Sequence, residues 1–195
     1  MNIDEQLQNI FQELKFKLPA SSIPQTLKPA LADFFSKEKA ARHTHRIQRL
    51  LSLCGIPKAQ IRTFEDFDWA FNPKTPKQDL LNFRANPWVE ERMNLVLIGD
   101  PGIGKSHLAK ALCYDAIRQG HTTCFLTAFD LLAKLKKARF VDSKINFYAK
   151  AIRVLCIDEF GYVYHDRSDT DLLYHVISSR CESNPTLLTS NLQPK

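Results

Sequence analysis

Apolar residues recur at helical spacing in the first part of the chain. Ile3, Leu7, Ile10, Phe11 and Leu14 follow the i, i+3/i+4, i+7 rule of an amphipathic helix over 3–16, which Pro19 ends. Leu27 to Ala41 reads as a second helix and Arg42 to Leu53 as a third, closed by Gly55 and Pro57. A short helix is predicted over 79–86, stopped by Pro87. The pattern then changes. Leu95 to Ile98, Thr122 to Leu126, Arg153 to Glu159 and Thr186 to Asn191 are short apolar runs of the kind that make buried parallel strands. Between them, residues 108–119, 129–139 and 170–181 carry helical periodicity. Strands alternating with helices of this length predict an α/β domain with a parallel sheet between helical layers. Residues 1–60 are therefore expected to form a helical accessory region, and 61–195 an α/β core.

A chain of 195 residues suits one α/β domain with a small appendage, and 44% apolar with 25% charged residues is an ordinary globular balance. No apolar run is long enough to span a bilayer. The acidic start, Met1-Asn-Ile-Asp-Glu5, lacks a signal-peptide pattern, so the expected location is cytoplasmic, without a membrane partner. The five cysteines form no C-x-x-C pair and read as reduced residues in or near the core.

Charge sharpens the picture. The net charge is +6, and it is unevenly placed. Residues 37–62 hold seven basic side chains against Glu38, and residues 134–153 hold seven against Asp142. Two readings fit each cluster: contact with a polyanion, most simply nucleic acid, or a solvated helix face. Phe64, Phe67, Trp69 and Phe71 put four aromatics within eight residues ahead of the first strand. They either wall a base pocket or staple the linker to the core.

The chemistry is concentrated in Gly99-Asp100-Pro101-Gly102-Ile103-Gly104-Lys105-Ser106, followed by His107. It fits G-x-x-x-x-G-K-[ST], preceded by a strand pattern and followed by a helix. Glycines let successive N–H groups converge on phosphate oxygens, and the helix N-terminus adds its dipole. Lys105 is expected to reach the β- and γ-phosphates, and Ser106 to take a Mg²⁺ position. Asp158, ending an apolar strand, is the expected metal-side carboxylate, and Glu159 the general base that polarises water. Asn191 is a candidate to orient that water or touch the γ-phosphate.

The stretches Gly99–Ala109, Leu155–Tyr162 and Leu187–Leu192 resemble the IstB-like ATP-binding proteins, the helper ATPases of IS21-type transposons. The segments Arg62–Trp69 and Thr127–Leu132 resemble that family too, and Gly161-Tyr162 and Ile177–Glu182 favour it over the related DnaC helicase loaders and DnaA initiators. The resemblance implies a phosphate-loop AAA+ fold, three layers deep, with strand order 5-1-4-3-2. It implies ATP and Mg²⁺ as ligands, self-assembly on double-stranded DNA, and delivery of target DNA to a transposase. By position, Gly99 to Ser106 correspond to Walker A, Asp158 and Glu159 to Walker B, and Asn191 to sensor 1. Members of the family continue past sensor 1 into a further strand, an arginine finger and a lid, so a chain ending at Lys195 reads as a truncated copy. Such a copy is expected to bind ATP and turn it over only at a basal rate. Arg180 reads as a surface or packing residue. Three alternatives stand beside the transposition helper: a DnaC-like helicase loader, a non-hydrolysing nucleotide- or DNA-binding fragment, and, least, a small-molecule kinase.

Overall fold

The computed structural model describes residues 2–161, 167–181 and 183–192. Tyr162, Glu182 and Lys195, which enter the resemblance above, lie outside them. Residues 1–48 and 49–195 form two compact units.

In the first unit, helix α1 (Ile3–Glu13) starts from a capping box. The Asn2 side chain accepts from the Asp4 N–H, and Glu5 returns a carboxylate to the Asn2 N–H. It ends three residues earlier than the apolar spacing suggests, because Lys15 turns left-handed at φ 60°. Leu7 and Phe11 pack with Ala20 and Ala32, and the Phe11 ring stacks on Phe16 while Phe35 meets both edge-on.

Helix α2 (Lys28–Leu53) is a correction to the two helices expected over 27–53. Beyond Pro29, no glycine or proline interrupts it before Gly55. Thr44, at the supposed break, bonds its hydroxyl back to Ala40 O at 3.0 Å and stays helical. The pairs Asp33–Lys37 and Glu38–Arg42 add i,i+4 support. With Lys39 bound to Glu13, three basic residues of the first cluster are already paired, and the solvated-face reading describes them.

In the second unit, strands β1 (Leu95–Ile98), β2 (Thr123–Thr127), β3 (Val154–Asp158) and β4 (Thr186–Ser190) form one parallel sheet in the order β1-β4-β3-β2. These four stand in the order that the resemblance implies, and no fifth strand occurs among the described residues. Helix α3 (Lys77–Ala85) precedes the sheet. Helix α4 (Lys105–Arg118) packs on one face, where its Cys113 meets Cys156 of β3. Helices α5 (Ala128–Lys136) and α7 (Arg167–Arg180) cover the other, where Leu131, Leu135, Leu173 and Val176 close over Leu155 and Ile157. Every residue of β3 is buried, as a strand covered on both faces must be.

Residues 49–60 sit with this core. The Phe125 N–H donates to Cys54 O at 2.7 Å, and Gly55, at φ 87°, passes so close that a Cβ there would meet Phe125 O at 2.4 Å. Between α5 and β3 lie helix α6 (Val141–Asn146) and a π-turn over Phe147–Ala151, neither predicted from the pattern.

The ends of the strands opposite the phosphate loop are tied by arginine. Arg180 is fully buried, so the packing reading of it holds. It donates to Thr186 Oγ1 and to the carbonyls of Tyr148, Ile152, Arg153 and Pro185. Arg153 reaches Val89 O at 2.7 Å and Asn184 Oδ1 at 2.9 Å. Burial lowers the Arg180 pKa to about 10, which leaves it charged at neutral pH.

Candidate functional site

The phosphate loop leaves β1 with its Gly99 N–H held by Ser190 O of the neighbouring strand at 3.2 Å. Gly102 and Gly104 have φ of 83° and 95°, backbone that side-chain-bearing residues rarely adopt. At Gly104 space forbids a side chain as well. A Cβ there would stand 2.5 Å from Phe67 Cε2. Helix α4 begins at the next residue, so its free N–H groups open toward the loop.

Lys105 is 9% exposed and its ammonium lies across the loop, donating to Gly99 O and Asp100 O at 2.7 Å each. Desolvation by burial lowers its pKa. Ser106 donates to Asp158 Oδ1 at 2.8 Å, joining the start of α4 to the end of β3. Asp158 is itself 7% exposed, while Glu159, one residue on, is exposed and left-handed at φ 57°.

The predicted residues gather at the carboxyl ends of the strands. Pro101, Gly102, Gly104, Lys105, Ser106, His107, Glu159 and Asn191 line one cavity of about 290 Å³. Gly99, Asp100 and Ile103 turn instead toward a neighbouring cavity of about 590 Å³, which shares Lys105 and is bordered by Phe71, Thr75 and Leu108. Asp158 lies beneath the first cavity, reached through Ser106. His107 lines the cavity and is also anchored, its Nε2 donating to Thr63 O at 2.9 Å.

The aromatic strip divides. Phe64 and Phe67 are buried, and Phe67 packs edge-on to Trp69 and His107, so these rings staple the 61–69 segment over α4. Arg84 reinforces the staple, lying over the Phe64 ring and pairing with Asp115 at 2.6 Å and Glu65 at 3.0 Å. Phe71 is exposed at the larger cavity.

These features fit a nucleotide polyphosphate with its metal. The loop offers N–H donors and a cradle that a Cβ would fill, and Lys105 supplies a shielded cation. The described residues hold no cluster of three acidic, histidine or cysteine side chains able to bind a metal by themselves. Mg²⁺ bound with nucleotide needs none, since it takes one or two protein oxygens and completes its shell from phosphate and water.

One residue of the site escaped the sequence reading. Thr189 lines the same cavity, and its hydroxyl bonds to Asp158. The signal available was the hydroxyl-rich end of the last apolar run, Thr189-Ser190-Asn191.

The sequence profile of the IstB-like ATP-binding protein family matches residues 8–194. The chain belongs to that family. Among its relatives, the IS232 insertion-sequence protein of Bacillus thuringiensis subsp. berliner is 32% identical over 157 residues, covering 79% of this chain and 62% of the relative. The IS5376 insertion-sequence protein of Geobacillus stearothermophilus is 34% identical over 157 residues, covering 79% and 60%. This IstB-like chain thus spans about three fifths of the length of these relatives. Among solved structures, AMPPCP-bound DnaA from Aquifex aeolicus is similar with a TM-score of 0.59 at 16% identity, over 70% of this chain and 43% of that one. The DnaC helicase loader is similar with a TM-score of 0.51 at 25% identity, over 65% and 76%. The fold is that of the phosphate-loop AAA+ domains. No helix among the described residues is long and apolar enough to cross a membrane.

Proposed function

We propose that this IstB-like protein binds and hydrolyses ATP with Mg²⁺ and serves insertion-sequence transposition by bringing double-stranded DNA to a transposase as part of a homo-oligomer. The hydrogen bond from Ser106 to Asp158, beside the Lys105 ammonium, carries the reading, because it joins a hydroxyl and a carboxylate at the phosphate end of the loop. The loop N–H groups bind phosphate, and Lys105 exchanges its two carbonyl partners for phosphate oxygens. Ser106 and Asp158 are the residues that would hold Mg²⁺, which would supply neutralisation of charge on the phosphates. Glu159 takes a proton from the attacking water, and Asn191, which lines the same cavity, orients that water.

The insertion-sequence relatives support the transposition role, and the exposed Lys134, Lys137 and Arg139 offer a surface for the DNA backbone. The likeness to the DnaC helicase loader favours helicase loading as the second reading. The two separate on the partner: a purified transposase or a replicative helicase retained by the ATP-bound protein. Glu159→Gln tests the chemistry. ATP affinity should stay within about threefold while turnover falls by roughly 10² or more, the scale of general-base catalysis. Turnover at the unaltered rate would remove Glu159 from the role of base.

A further inference from the structure

We propose that Thr189 is a positioning residue of the hydrolytic site, fixing through one side chain both the Asp158 carboxylate and the backbone that carries Glu159. The proposal rests on the ATPase reading and deepens it, adding a residue from β4 that the phosphate loop and the Asp158-Glu159 pair do not contain.

The hydroxyl has no freedom of direction. Asp158 Oδ1 accepts only, and the Glu159 N–H donates only, so the Thr189 proton points to the carboxylate and its lone pair to the amide, the latter at 3.0 Å. Thr189 is 2% exposed, so water does not compete for either bond. Asp158 Oδ1 also accepts from Ser106 at 2.8 Å, which gives this one oxygen two hydroxyl donors, from α4 and from β4. When Ser106 turns its oxygen to a metal ion, Thr189 is the hydroxyl that keeps the carboxylate in place.

The second half of the arrangement concerns Glu159. A non-glycine residue at φ 57° persists only where its surroundings hold it. Thr189 holds both sides of it. Its hydroxyl accepts the N–H of Glu159, and its carbonyl accepts the N–H of Phe160 at 2.7 Å. The two amides flanking the Glu159 α-carbon are thereby pinned to one residue of the adjacent strand, and Glu159 lines the same cavity as Thr189. Metal-side carboxylate and general base are thus set by the same threonine.

Thr189→Val keeps the β-branch and removes the hydroxyl, and Thr189→Ser keeps the hydroxyl. Three readouts apply to both variants and to the unaltered protein: ATP affinity with Mg²⁺ and with EDTA, ATP turnover, and hydrogen exchange of the Glu159 amide without nucleotide. Thr189→Val should lose the Mg²⁺ enhancement of ATP affinity by about tenfold and turnover by 10- to 100-fold, the range for residues that orient metal ligands. Its EDTA affinity should be unchanged and its Glu159 amide should exchange faster. Thr189→Ser should restore all three, which a merely shape-filling role would not produce. If Thr189→Val unfolds, Thr189→Ser and Thr189→Ala carry the comparison. Unchanged Mg²⁺ enhancement or unchanged exchange in the hydroxyl-less variant overturns the proposal. If the unaltered protein fails to bind ATP, the ATPase reading falls, and exchange at Glu159 alone then decides whether Thr189 clamps this turn.

Discussion

Phe67 lies with its ring edge where the Cβ of Gly104 would be, 2.5 Å from that position. A linker aromatic thereby sets the shape of the phosphate loop one residue before its lysine. Gly104→Ala should lower ATP affinity at least tenfold and destabilise the fold by about 1–2 kcal/mol from the left-handed backbone alone, before any displacement of the ring. Combining it with Phe67→Ala removes the clash and leaves the φ penalty, so the double variant should not regain ATP affinity. Titration with a fluorescent nucleotide and urea unfolding measure both. Full recovery in the double variant would show that space, not backbone conformation, selects glycine here.

Lys105 links affinity to pH. Burial holds its pKa below the ordinary 10.5 in the free protein, and a bound phosphate chain would raise it. A base whose pKa rises on binding takes up protons. ATP affinity is therefore full below the free-state value and falls as pH climbs through the interval between the free and bound values. Lys105→Ala should lose at least tenfold in affinity and lose this alkaline dependence together. A variant that keeps the same slope would assign the titration to another group.

Arg180 is a stability determinant, not a catalytic one. Its guanidinium ends in backbone carbonyls of the π-turn, of β3's entry and of Pro185. Arg180→Met should cost about 3 kcal/mol or more, because it strands several buried carbonyls at once. ATP affinity of the folded fraction should be unchanged. Denaturant midpoints and nucleotide titration separate these effects. Arg180 also cannot reach a neighbouring subunit's phosphates from this position, since it is fully buried at the opposite end of the strands.

The second basic cluster is not uniform. Lys136 is bound to Asp169 of α7 at 2.5 Å, and Arg153 is committed to Val89 and Asn184. Lys134, Lys137 and Arg139 are exposed on or just beyond α5. Changing these three to Gln should weaken binding to any duplex and lower the slope of log K against log salt by up to about 0.9 per lost phosphate contact. Lys136→Gln should act mainly on stability. Fluorescence anisotropy over a salt series decides, and equal slopes for all variants would remove this surface from DNA contact.

Much of the α/β core is written locally. The apolar runs at 154–158 and 186–190 are continuous because strands covered on both faces need no polar alternation, and their bounds emerge within a residue or two. The run at 95–98 also gives its strand, but β1 is not the buried strand expected, since Val96 and Ile98 are exposed. The phosphate loop is equally legible, because its glycines and its Lys-Ser answer to a ligand whose shape does not vary. What escaped was decided by the lack of a local stop in one place and by partners distant in sequence in the others. The join across 41–42 into one helix α2 depended on the absence of any stop signal, which a polar His-Thr-His imitates. The π-turn at 147–151 closes on Arg180, some thirty residues later. That Phe67 shapes Gly104, and that Thr189 meets the Asp158 carboxylate and the Glu159 amide, required the linker and β4 to be brought against α4 and β3. Local sequence thus marks which residues are the candidates to bind phosphate and metal. Tertiary packing determines how they are held, because a hydrogen bond or a ring contact fixes a site only when both partners are already in place.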